Sequence, residues 1–371
     1  MFRLVIFLAF FLGSSVMSIL WAQTPAKSGS ASPAPGVSVT PSPGSSPAAK
    51  SIVDTTDLTD LNEALDLLKK NYIDPEALDE RELSRATFEG VLSRLGHGVI
   101  LLPNPSAEPS PSPVALFGEV LEGHVGYLRL GDLSLPNLES LDAKLDSFAK
   151  SKLDSIVIDL RASAVANDFE IGAEFAKRFC PNGSTLFSLQ KPATKEKQTF
   201  TSDREPGFQG LLIILIDSDT AGAAEAVAGA IKFHQKAVLV GQPTAGRAAE
   251  YSDLKLPSGK ILRVAVAEAV LPDKEPLFPK GLKPDVPVEM STSDKRVVFQ
   301  QSRERGMTPF VMENERPHMN EAALISGKNP ELEAMEEAQR KGHSPEQATI
   351  HDPVMQRALD LVTSINVFQK R

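Results

Sequence analysis

The sequence predicts an α/β domain, with helices in front of it and a helical tail behind, on three observations. The runs 155–160 (SIVIDL) and 211–216 (LLIILI) are continuously apolar, as strands buried on both faces are. Segments of helical period separate these from the shorter strand-like runs 125–130 (VGYLRL) and 237–240 (AVLV). Strands alternating with helices point to one sheet-and-helix core rather than a bundle or a sandwich.

The first 23 residues read as an export segment. Arg3 supplies a positive start, 4–12 is apolar, and a second apolar stretch at 16–22 leads to a small residue that suits cleavage. Leu20, bulky where a cleavage site has a small side chain, supports the other reading, an uncleaved membrane anchor over 4–21. Both place the folded part outside the cytoplasm, in a periplasm or cell envelope, with membrane contact only through this segment if it is retained. Residues 24–50 are Pro, Ser, Gly and Ala with almost nothing to bury, a solvated linker. Within 51–115, Leu58, Leu61, Ala64, Leu65, Leu67 and Leu68 form a helical stripe capped by Asp57 or Thr59. A second helix is predicted over 82–95, followed by a proline-rich tether at 103–113.

The core is predicted over 116–290. After the strand at 125–130 comes a helix carrying Leu138, Leu141, Leu145 and Phe148, and after 155–160 a helix over 168–179. The strand at 211–216 runs into an Ala-rich helix over 221–234, and 254–271 reads as a hairpin around Pro257-Ser258-Gly259. From 291 to 371 the chain turns polar, with helices expected over 330–340 and 353–367, the second bearing an apolar stripe at Met355, Leu359, Val362 and Ile365.

Composition excludes several functions. The net charge is −9, and since the first 23 residues carry only Arg3, the remainder holds −10. No basic run and only 6% aromatic residues argue against a nucleic-acid surface. The single Cys180 has no intrachain partner and reads as a buried thiol. The six histidines (His97, His124, His234, His318, His343, His351) have no metal-ligand spacing. No Gly-x-Gly-x-x-Gly run follows a strand, so no cofactor is expected.

The corner between 211–216 and the next helix, Asp217-Ser218-Asp219-Thr220-Ala221-Gly222-Ala223-Ala224-Glu225, has two readings. Unpaired N–H groups at a helix start can receive an oxyanion. Small residues there can equally serve only to pack the helix against the sheet.

The residues around the corner resemble the tail-specific (C-terminal-processing) serine peptidases. Thr220-Ala221-Gly222-Ala223-Ala224-Glu225 is similar to that family's Ser-Ala-Ser-Ala-Ser-Glu turn. Gly241-Gln242-Pro243-Thr244-Ala245-Gly246-Arg247 is similar to its Gly-Glu-Pro-Thr-Phe-Gly-Lys. Gly126-Tyr127-Leu128-Arg129-Leu130, Ile158-Asp159-Leu160-Arg161, Gly281-Leu282-Lys283-Pro284-Asp285-Val286 and Asp352-Pro353 with Gln356-Arg357-Ala358-Leu359 match further family segments in order. The resemblance implies a peptidase core of the ClpP/crotonase-like type. Its chemistry is a Ser-Lys dyad, and the resemblance puts the nucleophile position on Gly222, the base position on Arg247 and the base-orienting position on Tyr251. Glycine offers no attacking oxygen. An arginine stays protonated where a desolvated lysine could lose its proton. Ser163-Ala164-Val165-Ala166 stands where the family has an oxyanion-binding Asn-Pro-Gly-Gly, and about 20 residues occupy the interval where it inserts a peptide-binding PDZ domain.

The sequence therefore predicts a non-catalytic, peptidase-like envelope protein that holds a polypeptide or a protein partner, with Gly222, Ala223, Thr244 and Gly246 lining the binding cleft. Two alternatives stand beside it. One is an active serine peptidase whose dyad has moved, for which Ser218 and Thr220 are the hydroxyls and Lys232, Lys236 and Lys255 the amines at hand. The other is a non-catalytic subunit or regulator of an active relative, joined through the terminal helix.

Overall fold

The structure, a computed structural model, describes residues 57–74, 78–103, 113–122, 124–163, 167–311 and 350–369. The export segment, the linker, the residues 164–166 and the helix expected over 330–340 lie outside the described residues. Two units divide the chain, Met1–Asp79 and Glu80–Arg371. Of the first, helix α1 (Leu58–Asn71) is described. It opens at Asp57, whose Oδ1 accepts the Asp60 N–H at 2.9 Å, and it ends with Lys69 and Lys70 in its last turn, where cations suit the helix dipole.

The second unit begins with α2 (Glu80–Leu95) and β1 (Val99–Leu102). It continues through β2 (Phe117–Leu121), β3 (Val125–Arg129), α3 (Leu135–Lys150), β4 (Ser155–Asp159) and α4 (Phe169–Lys177). Then come β5 (Thr185–Lys191), β6 (Glu196–Thr201), β7 (Leu211–Ile216), α5 (Ala223–Gln235) and β8 (Val238–Gly241). The last elements are β9 (Ala249–Lys255), β10 (Ile261–Val270), β11 (Val286–Pro287), α6 (Thr292–Arg305) and α7 (Pro353–Gln369).

The main sheet has the order β11-β8-β7-β4-β3-β2, parallel throughout except for the antiparallel edge strand β2. Side chains alternate across a strand. On β7, therefore, Leu212, Ile214 and Ile216 join one apolar core with α3, α4 and α5. Ile213 and Leu215 join a second core with Val298 of α6 and Val354, Met355, Ala358, Leu359 and Val362 of α7. Each face has its own cover, which is why the run is apolar without interruption. Three residues of the terminal helix's predicted stripe, Met355, Leu359 and Val362, are buried here, while Ile365 is only half-buried.

The second sheet is antiparallel: β10 pairs with β1 and β5 along one side and with β9 along the other, and β6 extends it beyond β5. Leu186, Phe187, Leu189, Ala267 and Ala269 of this sheet contribute to the same core as α5, and the helix is buried from Ala223 to Ile231. Alanine and glycine fill α5 because larger side chains would hold the packed layers apart.

The hairpin expected over 254–271 is β9–β10 with a longer first strand. The hairpin β5–β6 and the helix α6 were not expected. Only Lys295, Val298 and Ser302 of α6 are buried, too sparse a stripe to read as helical.

Two buried ion clusters tie the covers to the sheet. Arg161, just beyond β4, bonds Asp159 at 2.8 Å and Asp352, ahead of α7, at 2.7 Å, and Asp159 accepts the Tyr127 hydroxyl at 2.7 Å. Burial alone would raise the Asp159 carboxyl; the Arg161 charge and the hydrogen bonds outweigh it and hold the carboxyl below its ordinary value. Lys295 of α6 reaches Asp217 and Asp219, each at 2.6 Å, and so fastens the end of β7.

Candidate binding cleft at the strand-to-helix corner

The chain turns from β7 into α5 through a set of short backbone bonds. Thr220 is buried. Its hydroxyl donates to the Leu160 carbonyl at 3.2 Å and accepts the Asp217 N–H at 3.2 Å. The Ala245 N–H bonds the Thr220 carbonyl at 3.0 Å, which brings the 241–247 segment against the corner. Gly222 caps α5 with φ 62° and ψ −127°, a conformation that side chains beyond glycine reach only under strain.

Glu225, fully buried, organises everything around Gly222. One oxygen, Oε1, accepts the Thr244 hydroxyl at 2.5 Å and the Gly246 N–H at 2.8 Å. The other, Oε2, accepts the Arg247 N–H at 2.7 Å and the Gly222 N–H at 3.1 Å. Burial pushes this carboxyl above its ordinary value, and the four donors pull it back. Thr244 in turn accepts the Leu282 N–H at 2.8 Å. The tight packing explains Gly246, where φ is 66° and an added Cβ would fall 2.1 Å from the Pro279 carbonyl.

Beside this corner lies a cavity of about 450 Å³ lined by Ala221, Gly222, Arg247 and Tyr251, with Ile100, Asp253 and Arg263 of the second sheet as its wall. Ile100, Arg263 and Asp253 are direct cross-strand partners on β1, β10 and β9, so they share one face. Arg263 and Asp253 form a two-bonded ion pair at 2.7 and 2.8 Å. The Arg247 side chain is exposed, and its guanidinium has no hydrogen bond or ion pair among the described residues. The Tyr251 hydroxyl donates to the His97 carbonyl at 3.0 Å. Burial raises that hydroxyl, while the charges of Arg247 and Arg263 act the other way.

The three positions marked out by the sequence, Gly222, Arg247 and Tyr251, thus border one cavity. Thr244 and Gly246 sit behind it as partners of Glu225. The first N–H of α5, that of Ala223, has no acceptor within the helix. Ser163 is buried, its hydroxyl donating to the Gly131 carbonyl at 2.6 Å and its carbonyl receiving the Ala221 N–H at 3.4 Å.

Of the amines weighed for a moved dyad, Lys232 is paired with Asp285 at 2.6 Å, Lys236 ends α5 in the left-handed region, and Lys255 is exposed at the end of β9. Sequence reasoning missed Glu225 as the hub and Lys295 as the clamp on Asp217. Glu225 did leave a signal, the one charge inside an otherwise Ala/Gly-rich buried helix start, three residues past the cap. Lys295 left none.

Residues 124–288 match peptidase family S41. The core of the chain is similar to this family over that span. Among its curated relatives is the carboxyl-terminal-processing protease of Synechocystis, 28% identical over 165 residues, which are 44% of this chain and 38% of that protein. Chloroplastic carboxyl-terminal-processing peptidase 1 of Arabidopsis thaliana is 29% identical over 43% of this chain and 33% of its own length. CtpA of Bacillus subtilis is 24% identical over 54% of this chain and 42% of its own. The chain thus spans under half the length of these relatives. Among solved structures, the photosystem II D1 C-terminal processing protease aligns with a TM-score of 0.42 at 20% identity, covering 49% of this chain and 50% of that one. A putative peptidase from Parabacteroides merdae aligns at 0.49 with 13% identity, covering 66% and 85%.

Proposed function

We propose that this S41 core is a peptide-holding protein of the cell envelope without peptidase chemistry. The observation that carries the reading is that Gly222 and Arg247 border the same cavity. At the position that the family resemblance gives to the nucleophile there is no oxygen, and at the position of the base there is a guanidinium that cannot take up a proton at neutral pH. The corner that would cradle a carbonyl oxygen is nonetheless held in place by four bonds to Glu225. An unengaged guanidinium near the Ala223 N–H favours a carboxylate, at a chain end or on an acidic side chain. An extended peptide needs no serine to bind there. Export rests on Arg3 and the apolar stretch at 4–22.

The test has two arms on the purified chain. A fluorophosphonate probe and a casein assay should give neither labelling nor turnover; a labelled serine with cleavage that disappears on its replacement would overturn the inactive reading. Fluorescent decapeptides with free C-termini should bind more tightly than their amides, with the difference abolished by Arg247→Gln. Equal binding of both forms would remove the carboxylate assignment.

A further inference from the structure

A second cavity, of about 420 Å³, lies on the other side of the same corner, beneath α6. The crevice outside the carboxyl ends of parallel strands is the usual ligand position in open α/β sheets. This cavity occupies it: Arg129 ends β3, Arg161 follows β4, and Asp219 follows β7. Its roof is one face of α6, with Lys295, Phe299 and Arg303 at intervals of four residues and Arg296 three before Phe299.

The charges here are unequally engaged. Arg161 is neutralised by Asp159 and Asp352, and Lys295 by Asp217 and Asp219. Arg296 and Arg303 are exposed and make no ion pair among the described residues. Arg129 is 2% exposed and is held between the rings of Phe117 and Phe299, 4.9 and 4.3 Å from its guanidinium carbon. Its Nη1 donates to Ser302 at 3.1 Å, but its buried Nη2 has no hydrogen-bond partner among the described residues. Glu119 feels the Arg129 charge, yet its Oε1 is occupied by the Met307 N–H at 2.6 Å. A buried guanidinium nitrogen without an acceptor is a costly feature in a native fold, and it sits here in a cavity edged by two further unpaired arginines.

We propose that this cavity binds a small organic oxyanion, a phosphate or carboxylate group on an apolar body. The anionic group is taken by Arg129, Arg296 and Arg303, and the body lies against Phe299. In a chain of net charge −9, three arginines at one cavity with no ion pair among the described residues select for an anion. The site is distinct from the Gly222–Arg247 cleft and does not depend on how that cleft is used.

Calorimetric titration of the full chain with phenyl phosphate, at fixed ionic strength, tests this. One saturable site is expected, with no saturable heat from the neutral analogue benzyl alcohol and at least tenfold weaker binding of inorganic phosphate. Because Arg129→Met removes a buried cation and could unfold the chain, the decisive variant is Arg296→Gln/Arg303→Gln, both on exposed positions. It should weaken phenyl phosphate at least tenfold, while Arg247→Gln leaves it unchanged. No saturable binding, unaltered binding in the double variant, or loss in Arg247→Gln would overturn the site. Inorganic phosphate binding as tightly as phenyl phosphate would overturn the apolar half of the assignment.

Discussion

The backbone N–H of Arg247 is bound to the Glu225 carboxylate at 2.7 Å while the Arg247 side chain stands free at the cavity. The main chain at this position is thus fixed by the fold, while the guanidinium is engaged by no described residue. The same carboxylate receives Gly222, Thr244 and Gly246, so one buried group sets the shape of the whole corner. Glu225→Ala would strand four donors. Unsatisfied buried groups cost about 1–3 kcal/mol each, with partial relaxation, so a loss of about 3–5 kcal/mol in stability is expected. Urea denaturation checks it. Glu225→Gln should also destabilise, because the amide NH₂ would face N–H or O–H donors at one of the two oxygen positions.

Restoring the missing oxygen should not restore chemistry. Gly222→Ser forces a side chain onto φ 62°, ψ −127°, and strain of this kind costs about 1–3 kcal/mol, visible as a lower Tm. The new hydroxyl would still face an arginine that keeps its proton. The variant is therefore expected to fold less stably and to remain unlabelled by a fluorophosphonate. Labelling of Gly222→Ser alone would mean that another base serves this cavity.

The parts of the fold that were legible in the sequence are those where one physical demand dominates. β7 is covered on both faces, so no polar residue interrupts 211–216, and α5 lies within the core, so small residues crowd its start. The corner between them was readable for the same reason. α6 was not, because three buried residues in fourteen leave no stripe, and one of the three is Lys295, a charge that is buried only through Asp217 and Asp219. β5 and β6 escaped notice because β6 is almost wholly exposed and its polar side chains carry no period. The arginine-lined cavity was invisible for a further reason. Arg129 reads as an ordinary family strand residue, and only its meeting with Phe117 and Phe299 from distant segments shows that one of its nitrogens lacks a partner.

Cys180 should be inert in the folded chain. It is fully buried, and burial pushes its thiol up to about 12, so almost no thiolate exists at pH 8. A thiol-reactive disulfide reagent is expected to label the chain only after denaturant is added. Rapid labelling of the native chain would require an opening of the core beside α4.

The Asp159–Arg161–Asp352 cluster gives acid sensitivity of a defined sign. The folded Asp159 carboxyl lies below its ordinary value of 3.8, so the unfolded chain binds its proton first as pH falls. The stability this group supplies is therefore complete well above pH 3.8 and is lost as pH drops through 3.8 toward the lower folded value. Because Asp352 precedes α7, the loss should release the terminal helix from the sheet along with Val354, Met355 and Leu359. Denaturant midpoints measured from pH 7 to pH 2.5 are expected to fall in that window for the native chain. Asp159→Asn should flatten the pH dependence there and lower the midpoint at pH 7, because breaking one side of a buried ion cluster costs about 3–5 kcal/mol. A pH profile of Asp159→Asn that runs parallel to the native one would show that the acid response arises elsewhere, and the cluster would then be no more than a packing feature.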